Sequence, residues 1–111
     1  MDKHLVTTGF DFQGYRIVKY LGIAKGIIVR SRGLAGNIGA GFQAMFGGNI
    51  TLYTELCEKA RDDAYSLLID HAENMGANAI IGMRYDANDV AQAITEVLAY
   101  GTAVVVEKIE G

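Results

Sequence analysis

The sequence predicts an α+β fold: a small antiparallel sheet packed against one long helix, with a short glycine-rich helix beside them. Three observations predict it. Apolar residues recur at four-residue spacing from Leu52 to Met75, and the run stops at Gly76. The stretches from Ala79 to Tyr85 and from Ala93 to Val106 are apolar or alternating and rich in β-branched residues. Tyr15 to Val29 has the same character, interrupted only by glycine and small residues. With 111 residues the chain has room for one domain, spanning 1–111, and it shows no linker, repeat or low-complexity tract.

Taken in order, His4 to Thr8 reads as a short strand or an ordered arm, and Gly9 to Gly14 as a turn. Tyr15 to Leu21 reads as a strand, with Tyr15, Ile17, Lys19 and Leu21 on one face and Arg16, Val18 and Tyr20 on the other. It continues through Ile27, Ile28 and Val29, with Gly22 and Gly26 as bulges or bends. Between positions 33 and 48, Ile38, Phe42, Met45 and Phe46 fall at helical spacing, although Gly36, Gly39 and Gly41 each weaken a helix by ~1 kcal/mol relative to alanine.

Asn49 or Thr51 caps the main helix, and Glu55 complements the dipole in its first turns. Leu52, Leu56, Ala60, Ala64, Leu67, Leu68, Ala72 and Met75 form its apolar stripe. About 24 residues at 1.5 Å each give roughly 36 Å of helix, ended by Gly76 at C′. The strand from Ala79 to Tyr85 follows at once, so the joint from Gly76 to Asp86 is the centre of the core. Ala87-Asn88-Asp89 reads as a turn, residues 89–93 as an alternative helical turn, and Gly101 as a bulge in one long last strand.

Composition narrows the classes of function. The net charge of −3 attracts neither nucleic acid nor an anionic membrane, and no apolar run approaches the ~20 residues of a membrane span. Met1-Asp2-Lys3-His4 leads into no long apolar segment, so no signal peptide is expected. A single cysteine, Cys57, fits a reducing cytoplasm.

The strands also bear on assembly. Ile80-Ile81, Val104-Val105-Val106 and Ile27-Ile28-Val29 are apolar on both faces, as strands buried on both sides are. One helix covers one face. The second face needs another cover, either a second copy of the chain or the glycine-rich helix.

Thr7-Thr8, Gly47-Gly48 followed by Tyr53, Ala60-Arg61, the run Gly76-Ala77-Asn78-Ala79-Ile80-Ile81-Gly82, and Gly101-Thr102-Ala103-Val104 occur in this order along nearly the whole chain. Together they resemble the YbjQ-like family, small bacterial and archaeal proteins described as putative heavy-metal-binding domains. The resemblance implies a compact α+β subunit assembled as a ring-shaped homopentamer, and no settled activity. Many members carry an acidic residue two positions before the aspartate that matches Asp86. Here Arg84 stands there, which counts against a paired-carboxylate site.

A metal ion is the cofactor that the resemblance suggests, and the donors available in one chain are sparse. The weak candidates are Cys57, His71 and Asp86. Cys57 and His71 lie 14 residues apart on the same helix, roughly 21 Å along its axis, so they do not share an ion within a subunit. As structural residues, Cys57 reads as a small buried hydrophobe and His71 as a partly exposed helix residue well placed at the C-terminal dipole. Gly39-Ala40-Gly41-Phe42-Gln43-Ala44 matches a dinucleotide fingerprint formally, but the chain is too short for the βαβ context that motif requires. Ser31, Ser66 and Cys57 sit in no nucleophile motif, and Arg30 and Arg32, with Lys19 and Lys25, make no nucleic-acid footprint. The expected protein is therefore not an enzyme. It is an oligomeric binding module taking a metal ion or small ligand where subunits meet, or alternatively a structural or protein-interaction ring.

Overall fold

A computed structural model describes residues 1–2, 5–31, 51–92 and 94–110. Along the chain these form β1 (Tyr15–Ser31), α1 (Thr51–Asn74), β2 (Ala79–Ala91) and β3 (Ile94–Lys108). The strands make one antiparallel sheet in the order β1-β3-β2, and α1 lies mainly over β1. The α+β architecture is as the sequence predicts. The glycine-rich helix expected over positions 33–48, and the fingerprint-like segment within it, lie outside the described residues.

Helix α1 has the 24 residues that the periodicity predicts. Its end is a Schellman motif: Gly76 adopts φ 96°, its N–H donates to the Glu73 carbonyl at 2.9 Å, and the Ala77 N–H donates to the Ala72 carbonyl at 3.0 Å. The positive φ requires glycine at this point. The buried stripe is narrower than the sequence implies. Ala60, Ala64, Leu68 and Ala72 are buried, whereas Leu56 and Leu67 are exposed on the flanks. A stripe built almost wholly of alanine lets α1 approach the sheet closely. At Gly26 of β1, a Cβ would strike the Ala64 carbonyl oxygen and come within 2.5 Å of the Leu68 nitrogen. Gly26 is therefore a point of backbone contact, and of the bulge or bend expected there the bulge is absent, since the register with β3 runs unbroken through it.

Two irregularities in β1 change which residues share a face. The register against β3 shifts between Ile17 and Lys19 and again between Tyr20 and Gly22, where φ is 116°. Tyr15 and Ile17 consequently pack on the face away from α1, while Leu21 packs on the helix side. Strict alternation places all three together; each bulge inserts one residue and reverses the pleat.

The β2–β3 hairpin is longer than predicted. Ala87, Asn88 and Asp89 pair with Val97, Glu96 and Thr95 inside the ladder, and the reversal comes after Ala91. Thr95 Oγ1 donates to Asp89 Oδ1 at 3.1 Å, so a residue with turn chemistry serves as a cross-strand partner. On the β2 side of β3 the register shifts between Ile81 and Arg84, opposite Gly101. The bulge therefore lies in β2. Gly101 stays in register with Ala24, and it is the close neighbour over which the β2 backbone folds.

The two faces of the sheet carry separate cores. Under α1, Ala24, Ile80, Met83, Val97, Ala99 and Ala103 join the helix stripe. On the opposite face, Ala79, Ile81, Val104 and Val106 are covered by Leu5 from the N-terminal arm, Phe12 from the turn that follows it, and Tyr15 and Ile17 at the start of β1. The arm is tied to the β2 edge: Val6 bridges Ile80 in parallel, the Thr7 N–H donates to the Ile80 carbonyl at 3.0 Å, and the Met83 N–H donates to the Thr7 carbonyl at 2.9 Å. The cover over Ile81, Val104 and Val106 is thus part of the same chain, where the sequence reading looked to a second copy or the glycine-rich helix.

Candidate functional site

The arm covers only the inner half of that second face. Outward from Ile81, the sheet presents three rows of paired residues: Lys25–Tyr100–Arg84, Ile27–Leu98–Asp86 and Val29–Glu96–Asn88. Ile23, beside Thr102, starts the same apolar file on β1. Ile23 is 72% exposed, Val29 60% and Ile27 44%. These are β-branched side chains on a regular strand, standing next to half-buried Leu98 and Tyr100. None of the three belongs to either core of the described residues. An apolar file of this kind, rimmed by Lys25, Arg84 and Asp86, has the composition of a contact surface.

Arg84 has a local task at the border between the two halves. Its guanidinium donates to the Thr8 carbonyl at 2.8 Å and to the Met83 carbonyl at 2.9 Å, and lies 5.9 Å from the centre of the Phe10 ring. Phe10 in turn rests on Gly82, whose φ of 61° and bare Cα accept the ring. Arg84 therefore latches the arm onto β2 and offers no carboxylate beside Asp86. Asp86 Oδ1 accepts the N–H of Ala87 at 3.0 Å. The charge on β1 is entirely basic, with Arg16, Lys19, Lys25 and Arg30; Arg16 pairs with Glu107 at 2.9 Å and Arg30 with Asp63 of α1 at 2.7 Å. These exposed pairs contribute at most about 1 kcal/mol each.

The structure does not bring the three sequence-selected metal candidates together. Cys57 lies exposed on α1, contrary to the buried position expected of it. His71 is in the last turn of α1 and half-buried, as expected, and its Nδ1 accepts the backbone N–H of Lys25 at 3.0 Å. Asp86 is on β2, in the row of Ile27 and Leu98. Among the described residues, no group of three or more His, Cys, Asp or Glu side chains is placed to hold an ion.

Two features escape a sequence reading. The side chain of Asn78 behaves as an extra strand residue: its Nδ2 donates to the Val106 carbonyl at 2.9 Å, and its Oδ1 accepts the Val106 N–H at 2.8 Å. It thereby fixes the helix–strand joint against β3, and an amide directly before an apolar run is the signal that could have suggested it. The second feature is a tyrosine pair between α1 and the outer sheet. Burial raises the Tyr65 hydroxyl above its ordinary value of 10.0. Burial also raises Tyr85, with Tyr65 and Asp62 adding to the rise and Arg61 acting against it. The Arg61 guanidinium lies 5.8 Å from the Tyr85 ring centre. Tyr65 also lines a shallow cleft of about 450 Å³ with Met1, Asp62, Ser66, Ile69 and Asp70.

Comparison with known proteins agrees with this fold. A family model described as putative heavy-metal-binding matches residues 4–107. A UPF0145 protein of Burkholderia mallei strain SAVP1 is 61% identical over 103 residues, covering 93% of each chain. A UPF0145 protein of Burkholderia pseudomallei strain 668 is similar to the same extent. A crystal structure of a protein of unknown function from the DUF74 family of Pediococcus pentosaceus matches with a TM-score of 0.59 at 18% identity, covering 92% of this chain and 96% of its own; it shows the fold alone. No described helix is long and apolar enough to cross a membrane.

Proposed function

The chain belongs to the YbjQ family, described as putative heavy-metal-binding, and from that premise we propose that it is an oligomeric binding module of the reducing cytoplasm. Copies associate through the outer half of the sheet face that the arm leaves bare, closing into a homopentameric ring. A metal ion or small ligand is held where subunits meet. One observation carries the reading: Ile23, Ile27 and Val29 stand exposed in a file on a regular β-strand. Keeping a face of this kind in water is unfavourable by roughly 25 cal/mol for each Å² of apolar surface. Ligand binding at the interface follows from symmetry. Within one subunit Cys57, His71 and Asp86 are apart, whereas a ring sets copies of a single donor around one axis. Asp86, in the same row as Ile27, is the donor nearest this face.

Native mass spectrometry on untreated protein tests assembly and loading together. A pentamer with added mass in proportion to its subunits is the expected result, and the added mass identifies the class of ligand. A bare pentamer shifts the reading to a structural or protein-interaction ring, and a monomer overturns the assembly. Ile27→Asp places a carboxylate in the middle of the file. It should yield folded monomers by sedimentation, with circular dichroism unchanged; an intact oligomer would show that copies meet elsewhere.

A further inference from the structure

Arg84 uses only part of its hydrogen-bonding capacity on the arm. Both of its bonds, to the Thr8 carbonyl at 2.8 Å and to the Met83 carbonyl at 2.9 Å, leave from Nη1. A guanidinium also carries N–H donors on Nε and Nη2. Among the described residues no acceptor meets these. Nε–H and the nearer Nη2–H lie side by side along one edge of the plane, the edge that takes a carboxylate through two parallel bonds. The plane itself is held in place, by the two carbonyls at one corner and by Phe10, whose ring centre lies 5.9 Å from Cζ. A latch needs Nη1 alone. The unused edge of an immobilised guanidinium is a preorganised receptor, because folding has already ordered it.

Arg84 has companions in its row. It is in register with Tyr100 of β3, and Tyr100 is in register with Lys25 of β1. Neighbouring strands lie about 4.8 Å apart, so the backbones of Arg84 and Lys25 are separated by roughly 10 Å, and both side chains are long enough to meet over Tyr100. Lys25 is exposed and Tyr100 half-buried. Among the described residues, neither the Lys25 ammonium nor the Tyr100 hydroxyl has a hydrogen-bond or ion-pair partner. Arg16, Arg30 and Lys59, by contrast, are each paired with a carboxylate. The carboxylates nearest in register are Asp86, in the next row outward, and Glu96, in the row after that. The row therefore gathers two cations and a hydroxyl with no anion inside it. Its borders are apolar: exposed Ile23 and Ile27 flank Lys25 along β1, and exposed Phe10 lies on the arm side.

We propose that Arg84, Tyr100 and Lys25 form an oxyanion site for a small organic carboxylate with an apolar body. The carboxylate takes the free edge of Arg84, the Tyr100 hydroxyl donates to it, and Lys25 supplies the second positive charge. The apolar body lies against Phe10 and Ile27. The inference takes the small-ligand form of the reading above and gives that ligand a chemical class, but the site is complete within one chain. Water competes for donors on an exposed row, so binding is weak, with a Kd of about 1 mM.

Nuclear magnetic resonance of the full chain labelled with ¹⁵N tests it near neutral pH. Benzoate is the probe, benzamide its neutral counterpart, and acetate the same head without the body. Benzoate should move the Arg84 Nε–H signal and the Lys25, Tyr100 and Ile27 amides along one saturable curve. Benzamide should leave the Arg84 signal in place, and acetate should bind about tenfold more weakly than benzoate because it buries less apolar surface. Lys25→Gln and Tyr100→Phe leave the arm latch intact, and each should weaken benzoate about fivefold, as loss of one contact to a charged group does. The proposal is overturned by an Arg84 signal that does not move at about twenty times the expected Kd. An equal response to benzamide, acetate binding as tight as benzoate, or unchanged affinity in both variants overturns it as well. Sedimentation of the same samples separates this site from the assembly. A monomer that binds benzoate keeps the site and loses the ring, and a pentamer that ignores benzoate does the reverse.

Discussion

The far face of the sheet has two halves built from the same kinds of residue and finished differently. In the inner half, Ala79, Ile81, Val104 and Val106 are sealed by Leu5, Phe12 and Tyr15. In the outer half, Ile23, Ile27 and Val29 stand in water beside Leu98 and Tyr100. Arg84 marks the border by pinning the arm at Thr8 and Phe10. A two-faced apolar strand thus has two separate meanings within fifteen residues of β3. Where the chain supplies its own arm, the pattern reports intrachain packing. Where the arm ends, the same pattern stands exposed among the described residues.

The largest expected effect concerns the helix face that both halves share. Gly26→Ala forces a methyl group against two backbone atoms of α1 and should cost about 3 kcal/mol in urea unfolding. A loss below about 1 kcal/mol would mean that α1 can lift from the sheet, and the contrast between a rigid inner layer and a bare outer face would weaken. The next test compares the halves directly. Leu5→Ala should cost about 2–3 kcal/mol, because it opens the inner cover. Ile23→Ala should cost no more than about 0.5 kcal/mol when measured at dilutions that keep the chain monomeric. A larger cost at Ile23 that grows with protein concentration would identify the missing cover as a second copy. The smallest effect is on pH dependence. Because the Tyr85 hydroxyl titrates higher in the folded chain, the folded state retains a proton that the unfolded state has lost. Stability should therefore decline as pH rises above about 10, and Tyr85→Phe should flatten that decline in denaturation series across alkaline pH.

What could be read in the sequence follows from how local each signal is. The helix, its length and its end at Gly76 were legible because a repeating stripe and a Schellman glycine are encoded in neighbouring residues. The facing of Tyr15, Ile17 and Leu21 was not, since two bulges in β1 depend on the pairing with β3 and leave only Gly22 as a trace. Ala87-Asn88-Asp89 carried turn chemistry that cross-strand pairing to Thr95 and Glu96 overrode. Of the candidate ligands, His71 was placed correctly on the helix, but its engagement by Lys25 is a contact across 46 positions that no spacing reveals. Cys57 among apolar residues reads as core in the sequence, yet it is exposed, and the first buried position of α1 among the described side chains is Ala60.

The seam between α1 and the sheet has a thermal consequence. Ala60, Ala64 and Ala72 face Ala24, Gly26, Ala99 and Ala103, with Leu68 the largest helix side chain fully enclosed. Along β1 and the middle of β3, close approach of two backbones replaces the bulky side chains that usually fill such a layer, while Ile80, Met83 and Val97 fill its remainder. The heat capacity of unfolding scales with the apolar area exposed, about 0.45 cal/K/mol for each Å². An alanine seam exposes little area per residue when it parts. The stability of the single subunit should accordingly vary with temperature along a shallow, broad curve, and the steeper dependence should appear only where larger side chains such as Ile23, Ile27 and Val29 become enclosed.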